Sequence, residues 1–222
     1  MLPGNTRVIA CKVFRDELEY LGIPEEECLF MDQDLHRYPS ELNKKLSETI
    51  RSVEQDYSPA RIILVYGYCG GALENLSTER ARLVLARAPD CIPLLLGRDP
   101  ERIDPEGKGV YYVSRGWIAY SKYPYIEYLG LKDRFGHEDA YWSCKELLRS
   151  YSRVISIQSI PDSSLDWRQK AEEFALFFHM QYGETRGDTR FLERLLRGHP
   201  AENVFEMMPG QTLSRKDFET HG

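Results

Sequence analysis

Short, continuously apolar runs alternate along the chain with longer stretches in which apolar residues recur every three or four positions. Residues 7–14 (RVIACKVF) are short and rich in β-branched side chains, and a charged stretch with Leu18 and Leu21 follows. The pattern predicts a strand and then a helix, closed by Gly22 and Pro24. Residues 28–31 (CLFM) predict a second buried strand, and 32–39 a polar loop with Ser40 placed to cap the next helix, on whose face fall Leu42, Leu46, Thr49, Ile50 and Val53. Residues 62–66 (IILVY) are apolar throughout, as expected for a central parallel strand covered on both faces. They run into Gly67-Tyr68-Cys69-Gly70-Gly71, after which a helix is predicted from near Ala72.

Residues 82–86 (RLVLA) predict another strand, and Asp90 caps a short apolar helix that stops at Gly97. Strands are further expected at 109–113 and 153–158, with two helices between 120 and 151. A helix over 165–182 carries Trp167, Ala171, Phe174, Ala175 and Phe178 on one face, and residues 203–213 add a last strand. Strands alternating with helices predict an α/β fold, an open, mostly parallel sheet with helices on both faces. With no repeat, low-complexity segment or linker, residues 1–222 are read as a single α/β domain.

Composition narrows the function classes. Of 222 residues 42% are hydrophobic and 12% aromatic, too many for a disordered chain. A formal net charge of −6 argues against a phosphate-tracking surface, so no nucleic-acid partner is expected. No apolar run reaches the roughly 18–20 residues of a membrane span, and residues 1–5 do not resemble a signal peptide, so the expectation is a cytoplasmic protein with no membrane partner. The five cysteines form no CxxC pair, which excludes a zinc ribbon or thioredoxin motif and is unlike a secreted disulfide framework.

In open α/β sheets ligands bind beyond the carboxyl ends of the strands. Cys11 lies near the end of the first strand, Cys69 in the turn after 62–66, and Cys91 at the helix start after 82–86. If those strands are neighbours, three thiols converge, the requirement for zinc or an iron-sulfur cluster with one position left open. A helix N-terminus is expected to lower the pKa of Cys91, suiting it as ligand or nucleophile. His36 is the candidate nitrogen ligand or catalytic proton carrier. Gly67, Gly70 and Gly71, with Asp90, are candidate cofactor-binding positions, though tight strand-to-helix turning explains the glycines equally well and their spacing fits neither GxGxxG nor GxxxxGK[ST]. Trp117, with Trp142 and the tyrosines between 111 and 151, is a candidate aromatic pocket or protein-binding face, or else core. Cys28 and Cys144 are assigned to packing, which explains Cys11 as well as ligation does, and a lone histidine before a helix, as His36 is, often only caps or packs. His137, His179, His199 and His221 show no metal-ligand spacing, and no GxSxG elbow is present.

Several segments taken together carry a resemblance. They are Ala10-Cys11 with Glu17-Leu18, Leu35-His36 with Pro39, Tyr66-Gly67-Tyr68-Cys69-Gly70, Asp90-Cys91-Ile92 with Leu96-Gly97, Tyr111-Tyr112 with Gly116-Trp117-Ile118, and Pro209-Gly210. In this order they resemble domain-of-unknown-function family 1638 of methanogenic archaea and anaerobic bacteria. The family pattern has a histidine where this chain has Pro89, so no role for that histidine carries over. The resemblance implies a setting beside corrinoid-dependent methyltransferases, hence one-carbon metabolism with a corrinoid protein or methyltransferase as partner. The DxHxxG pattern of a cobalt-ligating histidine loop is absent.

Three expectations follow. The leading one is a metalloprotein in which Cys11, Cys69 and Cys91 hold an iron-sulfur cluster or zinc, with His36 as fourth ligand or acid-base group, acting as enzyme or accessory factor in corrinoid-linked methyl transfer. The second is a metal-free small-molecule binding or interaction module built on the aromatic residues near Trp117. The third is a thiol enzyme with Cys91 as nucleophile.

Overall fold

The computed structural model describes residues 2–98, 109–161, 164, 166–198 and 203–218. The strands are β1 (Thr6–Cys11), β2 (Cys28–Met31), β3 (Arg61–Val65), β4 (Arg82–Ala86), β5 (Val110–Val113), β6 (Arg153–Gln158), β7 (Gln181–Arg186) and β8 (Val204–Met207). They form two sheets rather than one. The first runs β2-β1-β3-β4-β8, parallel except for β8, and the second runs β5-β6-β7, all parallel. The helices are α1 (Arg15–Tyr20), α2 (Pro39–Tyr57), α3 (Ile92–Leu96), α4 (Arg115–Tyr120), α5 (Pro124–Phe135), α6 (His137–Leu147), α7 (Asp166–Phe177) and α8 (Arg190–Arg197).

The apolar runs explain the centre of the first sheet. Val8 to Ala10 and Ile62 to Val65 have no solvent exposure, so both faces of β1 and β3 are covered. α2 starts with Pro39, whose fixed φ suits a first turn, and buries Leu42, Leu46, Ile50 and Val53 on one face. Its buried Glu54 carboxylate accepts hydrogen bonds from the backbone N–H groups of Glu79, Arg80 and Ala81, which fixes the turn leading into β4. A second core forms around Phe174, Phe178, Val154 and Cys144, and Trp117 packs against both cores.

Several elements differ from the sequence reading. The helix expected from Ala72 is absent; a 3-10 turn at Cys69–Gly71 is followed by turns, because Gly70, Gly71 and Asn75 have φ of 67°, 98° and 61°, outside the right-handed helical region. The helix expected to reach 182 stops at Phe177, and after His179 (φ 57°) the chain enters β7. α8, not anticipated, buries Phe191, Leu192, Leu195 and Leu196. The strand expected within 203–213 is β8, shorter and antiparallel to β4.

The order β2-β1-β3-β4 contains a reversal. From β1 the chain moves to one side to form β2, then crosses back to form β3 on the other. The connections leaving β1 and β3 therefore diverge, opening a crevice at their carboxyl ends, the usual ligand position in such sheets.

Candidate functional site

β1 ends at Cys11, and β3 is followed by Tyr66 and then the Cys69–Gly71 turn. The loop after β4 lies directly on the loop after β3: the backbone N–H of Tyr68 donates to the Ala88 carbonyl at 2.7 Å, and that of Cys69 to the Pro89 carbonyl at 2.9 Å. Gly67 permits this approach, since a Cβ there would fall 2.3 Å from the Asp90 carbonyl oxygen. The Asp90 side chain accepts from the Ile92 N–H at 2.8 Å, starting α3 one residue after Cys91. These contacts bring Cys11, Cys69 and Cys91, from three separate strand ends, onto one cavity of about 380 Å³.

Asp32, Gln33 and His36 line the same cavity, and Tyr111, Trp117 and Tyr151 add aromatic rings from the side of the second sheet. The Tyr111 ring meets Trp117 at 6.1 Å and Tyr151 at 5.2 Å, both edge to face, and His36 lies 5.3 Å from Trp117. His36 Nδ1 is 2.6 Å from the Gln33 carbonyl, so Nδ1–H donates and Nε2 keeps the lone pair of the neutral ring. A smaller cavity of about 180 Å³ adjoins, sharing Gln33, His36, Tyr111, Trp117 and Tyr151. Beside it the loop after β2 is tied to the second sheet's helices by the Arg37–Glu127 ion pair and by the Lys122 N–H donating to Asp34 at 3.1 Å.

Electrostatically the site is acidic and desolvated. Burial pushes the Cys11 and Cys69 thiols up to about 12 and the Cys91 thiol well above the ordinary range, with mutual repulsion among the three and from Asp90 adding to the effect on Cys91. The lowered pKa expected for Cys91 is therefore corrected: α3 has only five residues, and the loss of water around the sulfur outweighs its dipole. Thiolate attack by Cys91 near neutral pH loses its basis. Burial also raises Asp90 and holds the Tyr66 phenol far above its usual value.

Of the glycines singled out in the sequence, Gly70 lines the cavity, while Gly67 and Gly71 are not among its lining residues. Turns, not a helix, follow Gly71. Asp90 and Trp117 line the cavity, whereas Trp142 is 68% exposed. Cys144 sits in the second core and Cys28 packs at the margin of the first. His199 and His221 lie outside the described residues. Asp32, Gln33 and Tyr66 were missed. Asp32 and Gln33 stand directly after β2, and the tyrosine closes an otherwise aliphatic run; those positions are the only signal the sequence offers.

The donor set suits a soft cation: three thiols, two nearby carboxylates, and no Lys or Arg among the lining residues. Among the described residues, however, no three His, Cys, Asp or Glu side chains stand in an arrangement that would hold a metal ion. Ligation by Cys11, Cys69 and Cys91 requires their side chains to turn toward a common centre. No helix among the described residues is long and apolar enough to cross a membrane.

Comparison with known proteins gives one match. A family model described as a protein of unknown function, DUF1638, matches residues 30–196, a span that holds Gln33, His36, Cys69, Cys91 and Trp117 but not Cys11. No curated protein and no solved structure matches.

Proposed function

The chain belongs to the DUF1638 family, and from that premise we propose that it is a soft-metal protein in which Cys11, Cys69 and Cys91 hold zinc or an iron-sulfur cluster. The observation that carries this reading is the convergence of three thiols, from three different strand ends, on one cavity at the point where the strand order reverses. Three thiolates bound to a metal leave a coordination position for an outside ligand, which is the chemistry the group supplies when bound. The chain's own residues have defined roles beside it. Trp117, Tyr111 and Tyr151 wall one side of the cavity, and His36, oriented through Nδ1, accepts a proton at Nε2 and returns it. The setting implied by the family resemblance, corrinoid-linked methyl transfer with a corrinoid protein or methyltransferase as partner, fits a centre of this kind in an enzyme or an accessory factor.

The test is elemental analysis and a visible spectrum on protein purified without oxygen, alongside Cys69→Ala and Cys91→Ala. Bound zinc, or iron with sulfide, that falls by at least tenfold in both variants is the expected result. Full occupancy in either variant removes that residue from the site, and absence of metal from the anaerobic wild-type protein overturns the reading. A second reading, a metal-free small-molecule site, is favoured by the aromatic rings of Tyr111, Trp117 and Tyr151 along the cavity. It is the one left standing if no metal is found.

A further inference from the structure

Cys69 stands on the cavity in a conformation it does not adopt by preference. Residues 67–78 lie in no strand or α-helix, and within them Cys69 and Asn75 have φ of 48° and 61°. Residues with a Cβ persist in this region only where their surroundings hold them there. The loop after β4 supplies one support, through the bonds from the Tyr68 and Cys69 N–H groups to the Ala88 and Pro89 carbonyls. α2 supplies a second, since the Asn43 side-chain amide donates to the Ala72 and Glu74 carbonyls at 2.9 and 2.6 Å.

A third support comes from a segment far along the chain. Leu213 is 1% exposed; its N–H donates to the Leu76 carbonyl at 3.0 Å, and its carbonyl accepts from the Asn75 N–H at 2.9 Å. Beside it Thr212 forms a β-bridge with Ser77. From that anchor the 3-10 turn Arg215–Phe218 carries the Phe218 ring to 5.0 Å from the ring of Tyr68, the residue before Cys69. The turn is itself fastened. Ser214 donates to the Asp217 carboxylate from its N–H at 2.8 Å and its hydroxyl at 3.0 Å, Arg87 Nε donates to the Asp217 carbonyl at 3.1 Å, and Phe205 of β8 meets Phe218 edge to face at 5.6 Å. On its other side the Tyr68 hydroxyl donates to Glu74, within its own loop. Neither Tyr68 nor Phe218 lines the cavity, whereas Cys69 and Gly70 do. Their contact therefore acts on whatever binds there through the placing of Cys69. Gly70 and Gly71, which follow, add no stiffness of their own.

We propose that residues 213–218 form a clamp that sets the position of the Cys69 thiol at the cavity, with Phe218 and Tyr68 as its positioning residues. The inference rests on the reading of Cys69 as a working thiol of the site, and its test does not need a metal. A buried thiol is alkylated through local opening of its surroundings, so the rate reads how firmly its loop is held. The full chain, freed of metal with a chelator and kept under argon, is treated with iodoacetamide, and each cysteine is followed by mass spectrometry. Phe218→Ala is expected to speed the labelling of Cys69 by about tenfold or more, while Cys11, at the end of β1, keeps its wild-type rate and serves as internal reference. Phe218→Leu, which keeps an apolar body against Tyr68, is expected to stay close to wild type. Tyr68→Ala removes the same contact from the other side and is expected to match Phe218→Ala, so it decides the question if Phe218→Ala does not fold.

Zinc titration of the same proteins gives the second readout, with binding expected to weaken about tenfold in Phe218→Ala and to recover in Phe218→Leu. Wild-type labelling of Cys69 in a folded Phe218→Ala or Tyr68→Ala, or a parallel rise at Cys11, which would mean general loosening, overturns the clamp. Zinc uptake by the wild-type protein decides the metal reading separately, because labelling is read without metal.

Discussion

Cys69 holds its backbone at φ 48°, the left-handed region, with Gly70 beside it at φ 67°. For a residue with a Cβ this costs of order 1 kcal/mol or more, and glycine would be at ease there. A cysteine at the position argues that the thiol itself is wanted. Cys69→Ala keeps the strain and loses the sulfur, whereas Cys69→Gly loses the sulfur and releases the strain. Urea unfolding should therefore find the glycine variant more stable than the alanine variant by about 1 kcal/mol, the reverse of the usual order. An alanine variant equal to or more stable than the glycine variant would mean that the backbone is not held left-handed. The thiols and His36 were legible because each follows a strand, and strand ends are where ligands sit. Gln33 and Tyr66 were not: a glutamine in a polar loop reads as solvated and a tyrosine ending a strand as core, and only tertiary packing removes water from both.

At the level of elements, α4 depends on one contact. A Cβ on Gly116 would fall 2.1 Å from the Val13 carbonyl oxygen, so the absence of a side chain lets α4 lie against the Lys12–Phe14 turn that follows β1. That seat places Trp117 over the cavity, and the Arg115–Asp16 ion pair at 3.0 Å steadies it. Gly116→Ala sets a methyl group against backbone that has nowhere to go, and is expected to destabilise the protein by about 1–3 kcal/mol. Trp117 fluorescence should shift to the red as the ring gains water; an unchanged spectrum and stability would show that α4 is not seated in this way. Gly116 drew notice in the sequence only as part of a motif, since a close approach is invisible until both partners are placed. The apolar runs gave β3 and β4 within a residue, because continuous burial has a continuous sequence signature. β7, with the sequence QYGETR, is too polar to stand out.

Over the whole molecule, the two sheets meet at a buried acid. Glu17 on α1 is 2% exposed and accepts a hydrogen bond of 2.6 Å from Ser159, which follows β6. Burial raises its carboxyl from 4.5 to about 7, with Ser159 and Arg115 opposing the shift and Asp16 adding to it. The folded value lies above the unfolded one, so this group's contribution to stability is complete below about 4.5 and is lost as pH rises through about 7. At about 1.4 kcal/mol per pH unit the loss amounts to about 3 kcal/mol. Glu17→Gln, neutral at every pH, should abolish that part of the slope between pH 4.5 and 7. Denaturation midpoints for the two proteins across that range check it, and parallel curves would show that Glu17 titrates normally. Two sheets in place of one could not be read from the sequence, because β5 to β7 alternate with helices as β1 to β4 do, and nothing local marks where pairing stops.

β8 shields the outer edge of β4, and Glu206 on it lies 3.1 Å from Arg61 of β3. The ribosome makes β4 early and β8 only after the entire second sheet. Until then a nascent chain carries an apolar strand with a row of unanswered backbone hydrogen-bonding groups. The first sheet is thus exposed to mispairing for most of translation, and a chain cut short before residue 203 would keep that open template permanently.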